Sequence, residues 1–279
     1  MHLLMILTAL TVAYFLRITF TSSLGNWNLR WQRSLFLFLF PPLLLGMTAI
    51  ALLCMGTQGK MGNFHTGGFS YILALSCLAF SGILCIKLAY QGWGSVKSAR
   101  NCSVINIAGR EVRLLSTNAL FAGQIGFWQP ELVISEGLLQ TLSPEHLETV
   151  FAHEQGHYHY RDTFWFFWLG WVRSCTVWLP NTKALWEELL ILRELRADAY
   201  AASQVDRLLL AESLLLVVST APVLSETFCA ALGSPGIERL EQRIESLLSQ
   251  PVVIPEMNFQ SWNGFMLALL PLIAVVFHT

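Results

Sequence analysis

Four runs of about twenty apolar residues, at roughly 3 to 20, 34 to 55, 69 to 90 and 260 to 278, constrain this chain more than any other feature. The hydrocarbon core of a bilayer is about 30 Å thick and takes about 20 helical residues to cross. Within lipid a backbone must satisfy its own N–H and C=O groups, so runs of this length point to helices. Composition agrees. Of 279 residues, 54% are hydrophobic and only 13% charged, whereas a soluble domain carries roughly 25% charged residues. The first run has no basic stretch before it and no A-x-A site after it, and so reads as a spanning helix, not a cleaved signal.

Lysine and arginine in the short loops set the orientation. Arg30 and Arg33, with Arg17 at the edge, mark the first loop as inside; the loop 56 to 68 carries only Lys60. Counting passes puts residues 91 to 259 in the cytoplasm and both termini outside, as expected of a multi-pass plasma-membrane protein. The net charge of −1 offers no basic surface to nucleic acid. Six cysteines without a CxxC pair read as small buried hydrophobes, not a thiolate site or a disulfide framework.

Between the third and fourth runs the pattern changes. SVINIA (103 to 108) and EVRLLS (111 to 116) flank Gly109-Arg110 as a hairpin, and ALFA and ELVI follow around a loop from Gly123 to Pro130. Ser143-Pro144-Glu145 then starts a helix: a hydroxyl cap, proline in the first turn and an acid beside it. Leu147, Val150 and Phe151 give that helix its apolar stripe. A second helix is expected from Asn181 or Thr182 to about Ser203. Two more are expected at about 205 to 222 and 236 to 249, before a Pro251 to Pro255 linker.

The first of these helices carries His153-Glu154-Gln155-Gly156-His157, an H-E-x-x-H motif. Residues four apart lie one turn apart on one face, so the two imidazoles can converge on one Zn2+ while Glu154 reaches a water as general base. A catalytic zinc takes a third protein ligand and leaves its fourth position open. The second helix offers Glu187, Glu188, Glu194 and Asp198, and periodicity alone leaves Glu187 and Glu194 equivalent. Asp198, one turn beyond Glu194, is placed to hold a ligand imidazole by its far nitrogen. Arg193 and Arg196 leave open a plain exposed charged face for the same stretch.

The aromatic run 164 to 180, with Trp165, Trp168, Trp171 and Trp178, is 17 residues long and contains Arg173. If it crossed the bilayer, acids on the following helix would lie on the far side from His153 and His157. It is therefore expected to dip into the membrane or lie against it, with its tryptophans at the interface; the alternative is an ordinary buried helix of the peptidase domain. Arg161-Asp162 is read as structural, and His146 and His159 as outside the chemistry.

Three apolar helices, the HEQGH helix, an aromatic run ending Leu179-Pro180-Asn181, RELRAD at 193 to 198, an Arg243-Ile244 helix and a final apolar run together resemble the BlaR/MecR-type integral membrane zinc metallopeptidases. GQIGFWQPELVIS (123 to 135) resembles the segment that precedes the HExxH helix in that family. The resemblance implies a mainly α membrane protein: four transmembrane helices and a cytoplasmic zincin-like α+β metallopeptidase domain inserted between helices 3 and 4. The segments would be 1–100 for three helices, 101–255 for the peptidase domain and 256–279 for the fourth helix. It further implies one Zn2+ per chain on His153, His157 and Glu194, with Glu154 as general base and Asp198 in support. By analogy with strand addition, Ala119, Leu120, Phe121 and Ala122 would form the edge that pairs with an extended substrate.

The expected function is zinc-dependent endopeptidase cleavage at the cytoplasmic face, in regulatory proteolysis. Expected partners are the lipid bilayer, a protein or peptide substrate such as a transcriptional repressor, and a separate sensor protein. The segments expected outside carry no S-x-x-K motif, so neither an extracellular penicillin-binding sensor domain nor beta-lactam sensing by this chain is expected. The alternatives are an HtpX-like membrane quality-control protease and a non-catalytic membrane scaffold with a structural zinc.

Overall fold

The computed structural model describes residues 2–20, 27–56, 60–61, 64–65, 68–220, 237–249 and 259–276. Its chain divides into two compact units: one of Met1–Lys87, Trp171–Leu189 and Glu256–Thr279, the other of Leu88–Gly170 and Leu190–Pro255. The sequence-based boundary near residue 100 differs in two places. Unit 1 ends inside a helix at Lys87, and it takes in the second half of the aromatic run.

Unit 1 is built on α1 (His2–Ile18), α2 (Trp27–Met55) and the first part of α3 (Gly68–Arg100). A two-residue ladder, β1 (Lys60–Met61) with β2 (Phe64–His65), lies between α2 and α3. The last apolar run is a 3-10 stretch, Phe259–Leu269, leading into α10 (Leu270–Val276). Small residues let these helices approach. Ala9 and Ala268 are buried with Phe40 and Leu44, and Ala49, Ala51 and Ala74 with Leu52 and Met55.

Among the described residues two helices are long and apolar enough to cross a bilayer, Leu29–Met55 and Gly68–Arg100. The other two expected spans are shorter. The 17 residues of α1 rise only about 26 Å at 1.5 Å each. Among the described residues the expectation of four spans is therefore met, by length and composition, for the second and third runs.

The residues 171–189 pack on these helices by polar as well as apolar contacts. Trp171 Nε1 donates to Ser81 O at 2.8 Å, and Arg30 pairs with Glu188 at 2.8 Å. Arg17, fully buried, donates to Thr182 Oγ1 at 3.0 Å and to Phe38 O at 3.1 Å. A buried guanidinium among apolar helices is tolerable only when it is so bonded.

Unit 2 holds a four-stranded sheet in the order β3-β4-β6-β5, comprising β3 (Ser103–Ile107), β4 (Arg110–Leu115), β5 (Ala122–Ile125) and β6 (Glu131–Ser135). The β3–β4 hairpin turns on Ala108 (φ 49°) and Gly109 (φ 81°), two left-handed residues that suit strand twist. Asn106 Oδ1 accepts from Gly109 N at 3.0 Å and closes the turn. β4 and β6 run parallel, while β5 pairs antiparallel with β6 and forms one edge.

That edge is displaced from the sequence expectation. Only Ala122 of the 119–122 segment is in a strand, and Ala119 and Leu120 are buried. Leu120 belongs to the core with Val112, Ile134, Leu138 and Phe151, so it points into the protein where an edge residue would meet substrate. Phe121 instead helps to fix the strand end: its N–H donates to Ser135 Oγ, and its carbonyl accepts from Ser135 N, both at 2.9 Å.

α4 (Glu136–Thr141) follows the sheet. α5 (Pro144–His159) starts on the expected cap, with Ser143 Oγ accepting from His146 N at 3.3 Å. α6 (Asp162–Cys175) and α7 (Thr182–Ala202) come next, and then α8 (Arg207–Thr220) and α9 (Ile237–Leu248). α6 has 14 residues and rises about 21 Å, short of a bilayer core. The Pro251–Pro255 linker and His278 lie outside the described residues.

Candidate metal centre

α5 and α7 meet where each has something small. A Cβ placed on Gly156 would stand 3.1 Å from Ala197 Cα and 3.2 Å from Ala197 O. Glycine inside H-E-Q-G-H therefore lets the two helices close, and Glu194 and Asp198 arrive one turn apart beside the histidines. Glu187, equivalent to Glu194 by periodicity, instead lies 3.9 Å from exposed Lys183.

His153 Nε2 and His157 Nε2 are 3.1 Å apart, and the two rings stand nearly perpendicular, at 88°. Glu194 completes the group, with Oε2 3.5 Å from His153 Nε2 and Oε1 3.7 Å from His157 Nε2. Tetrahedral ligands about 2.0–2.1 Å from a zinc ion lie roughly 3.3–3.4 Å from one another. The observed separations bracket that value, so the three side chains fit one zinc ion without rearrangement of the helices. Among the described residues this is the group of histidines and acids whose ligand atoms converge in this way.

The far nitrogens are also occupied. His153 Nδ1 faces Asp198 Oδ1 at 2.9 Å, and His157 Nδ1 donates to Asp162 Oδ2 at 2.7 Å. A carboxylate on Nδ1 fixes the tautomer that leaves Nε2 free to bind metal and makes it more basic. Both carboxylates are themselves paired. Arg243, from α9, donates Nε and Nη2 to the two oxygens of Asp198 at 2.7 Å each, and Arg196 pairs with Asp162.

Glu194 sits between two guanidinium groups. Arg193 donates to Oε1 at 3.0 and 2.7 Å, and Arg243 Nη1 lies 3.3 Å from Oε2. Arg193 also stacks on Phe166, 4.8 Å from the ring centre. Arg193, Glu194 and Asp198 are all buried, which rules out the plain exposed charged face that the stretch allowed.

Burial opposes charge on His153, His157, Glu194 and Asp198, and at each of these the partners outweigh it. His157 is pushed up to about 10 because the Glu194 and Asp162 carboxylates overcome the desolvation of its cation. His153 moves the same way through Asp198 and Glu194. Despite burial, Glu194 is held well below the usual carboxylate range by Arg193, His157 and Arg243, and Asp198 is lowered chiefly by Arg243. Glu154 is buried beside the ligands, its backbone carbonyl accepting from Gln124 of the edge strand at 3.4 Å.

Two residues of the site were not assigned from sequence. Asp162 is read from the sequence as structural; on a continuing helix it would lie about 140° around from His157. The helix does not continue: Arg161 has φ 53°, and this left-handed residue turns the chain so that Asp162 folds back on the ring. Arg243 was noted only as part of a helix, and 45 residues separate it from the Asp198 it grips.

A model of Peptidase family M48 matches residues 106–190. The match takes in the last two residues of β3, strands β4 to β6, the H-E-x-x-H helix and the first part of α7, and stops short of Glu194. Peptidases of this family are zinc-dependent, so the match supports a zinc metallopeptidase function. No curated protein matches the chain.

Proposed function

We propose that this protein is a membrane-embedded zinc endopeptidase in which His153, His157 and Glu194 hold the metal and Glu154 is the general base. The observation that carries this reading is the triangle of His153 Nε2, His157 Nε2 and the Glu194 carboxylate, with separations of 3.1 to 3.7 Å. A bound zinc ion would polarise the scissile carbonyl and make a water more acidic. Glu154 takes the proton of the attacking water and delivers it to the leaving amine. Asp162 and Asp198 hold the two imidazoles in the ligand tautomer, and Arg243 keeps Asp198 and Glu194 ionised.

Three converging side chains, with Asp198 turned to the far nitrogen of His153, favour an open site over a closed structural zinc. The substrate edge moves from the 119–122 segment to β5: Ala122–Ile125 is the outermost strand on that side of the sheet, and Gln124 ties it to the carbonyl of Glu154. An extended peptide added there would lie along the H-E-x-x-H helix. The apolar helices and the loop charges support an active site on the cytoplasmic side of the plasma membrane, with both termini outside.

The first test is Glu154→Gln. It should retain one zinc per chain and lose about 100- to 10,000-fold in peptide cleavage, and a fully active variant would remove Glu154 from this role. Proteins that accumulate in cells carrying this variant separate two purposes. One repressor-like protein would indicate BlaR/MecR-type regulatory proteolysis, whereas many misfolded membrane proteins would indicate HtpX-like quality control.

A further inference from the structure

One surface of unit 2 lies outside the zinc chemistry. The β5–β6 hairpin leaves β5 through Gly126, whose φ is 146° and on which a Cβ would stand only 2.7 Å from Pro130 Cα, so no side chain fits there. The tight turn pushes Phe127 and Trp128 outward against α6. Phe127 stands 4.9 Å from Phe164 and 5.2 Å from Phe167, centre to centre, and Trp128 stands 5.0 Å from Phe164. Trp165 and Trp168 extend the cluster. Its outer members are open: Trp128 is 72% exposed, Trp165 55% and Trp168 37%.

Two chain continuities indicate what covers this patch. α3 carries a long apolar stretch with only 6% of its most apolar window buried, a surface that water does not tolerate and acyl chains do. α3 then runs on into unit 2 with Tyr90 and Trp93 exposed, and it ends at Arg100, which pairs at 3.0 Å with Glu131, the first residue of β6. Aromatics followed by basic residues mark the level where a helix leaves the bilayer. The hairpin that bears Trp128 is therefore bonded at its base to the end of that helix. α6 likewise continues, one turn past Trp168, to Trp171, whose indole is bonded to Ser81 of α3.

We infer that Phe127, Trp128, Phe164, Trp165, Phe167 and Trp168 form an aromatic foot seated at the headgroup–acyl boundary of the bilayer. Tryptophan suits that boundary because its ring is apolar and its N–H can stay hydrated. Phe127 is two residues beyond β5, so lipid that seats the foot also sets the height of the edge strand. Substrate segments within a few residues of the membrane surface would then be the ones that reach it. This inference rests on the membrane placement proposed above and not on the zinc chemistry.

The test uses the full chain, labelled with 5-fluorotryptophan, in phosphatidylcholine nanodiscs. Trp128→Phe and Trp165→Phe assign the two fluorine resonances by their disappearance and keep an aromatic ring in each place. Lipid carrying a nitroxide near its headgroup should broaden both resonances, while a soluble gadolinium chelate should leave them sharp. Broadening by the chelate and not by the lipid overturns the foot, as does protection from both reagents, which would mean a protein covers the patch. Zinc content read on the same sample keeps the two proposals apart. Absent zinc with lipid broadening overturns only the peptidase reading, and bound zinc without lipid broadening overturns only the foot.

Discussion

Asp162 Oδ2 accepts from His157 Nδ1 at 2.7 Å, although the two residues belong to different helices. Outer carboxylates of this kind typically contribute 10- to 100-fold in metal affinity. Asp162→Asn should therefore weaken zinc binding by about 10- to 100-fold while leaving the far-ultraviolet circular dichroism unchanged, because the amide still fills the space. Competition with a chromophoric chelator measures this, and unchanged affinity would remove Asp162 from the metal centre.

Arg243 bridges Asp198 and Glu194, two buried carboxylates on the same face of α7. Removing one partner of a buried ion pair costs about 3–5 kcal/mol, since the remaining charge stays desolvated. Arg243→Met should lower unfolding stability by that order and reduce zinc occupancy with it. Arg243→Lys should be intermediate, because a single ammonium cannot grip both oxygens of Asp198 as the guanidinium does. Denaturant unfolding with and without zinc ranks the three proteins, and a Met variant as stable as the wild type would show that the cation is dispensable.

Much of the centre was legible because its spacing is local. His153, Glu154 and His157 are set by one helical turn, and the Ser143 cap and the Gly109 turn are equally local in cause. What escaped depends on chain reversals and long-range packing. Asp162 needed the left-handed Arg161, which no side-chain pattern marks, and the Arg243–Asp198 pair spans 45 residues. The choice of Glu194 over Glu187 came from family resemblance, and its physical reason is the crossing at Gly156 and Ala197. The edge strand was misplaced by three residues because Ala119 and Leu120 are apolar for the core's sake, not for a strand's.

Gly156 offers a test of that crossing. Alanine favours a helix over glycine by about 1 kcal/mol, but its Cβ would meet the α7 backbone at 3.1 and 3.2 Å, and overpacking costs about 1–3 kcal/mol. Gly156→Ala should cost between nothing and about 2 kcal/mol of stability, yet weaken zinc binding by parting α5 from α7. Gly156→Val should lose both clearly. Zinc titration of the alanine variant is the decisive measurement, and wild-type affinity would mean that the helices do not need this contact.

Protons should leave as zinc enters. In the metal-free protein His157 is raised to about 10 from an ordinary 6.5, so at pH 7.5 its ring is cationic, whereas a metal ligand must be neutral. Zinc binding at that pH should release at least one proton from this site, seen as a dependence of the binding heat on the ionisation enthalpy of the buffer. The same shift governs stability. A histidine with a raised folded-state pKa stabilises fully below its unfolded value and loses that contribution as pH climbs toward 10. Glu194 and Asp198 are depressed, so their contribution is present above about pH 4.5 and is lost as pH falls through their folded-state values. The metal-free protein should therefore melt progressively lower from pH 7 to 10, while the zinc-loaded protein, which has already given up that proton, should not. Parallel melting curves for the two forms across this range would contradict the assignment of His157 as a ligand.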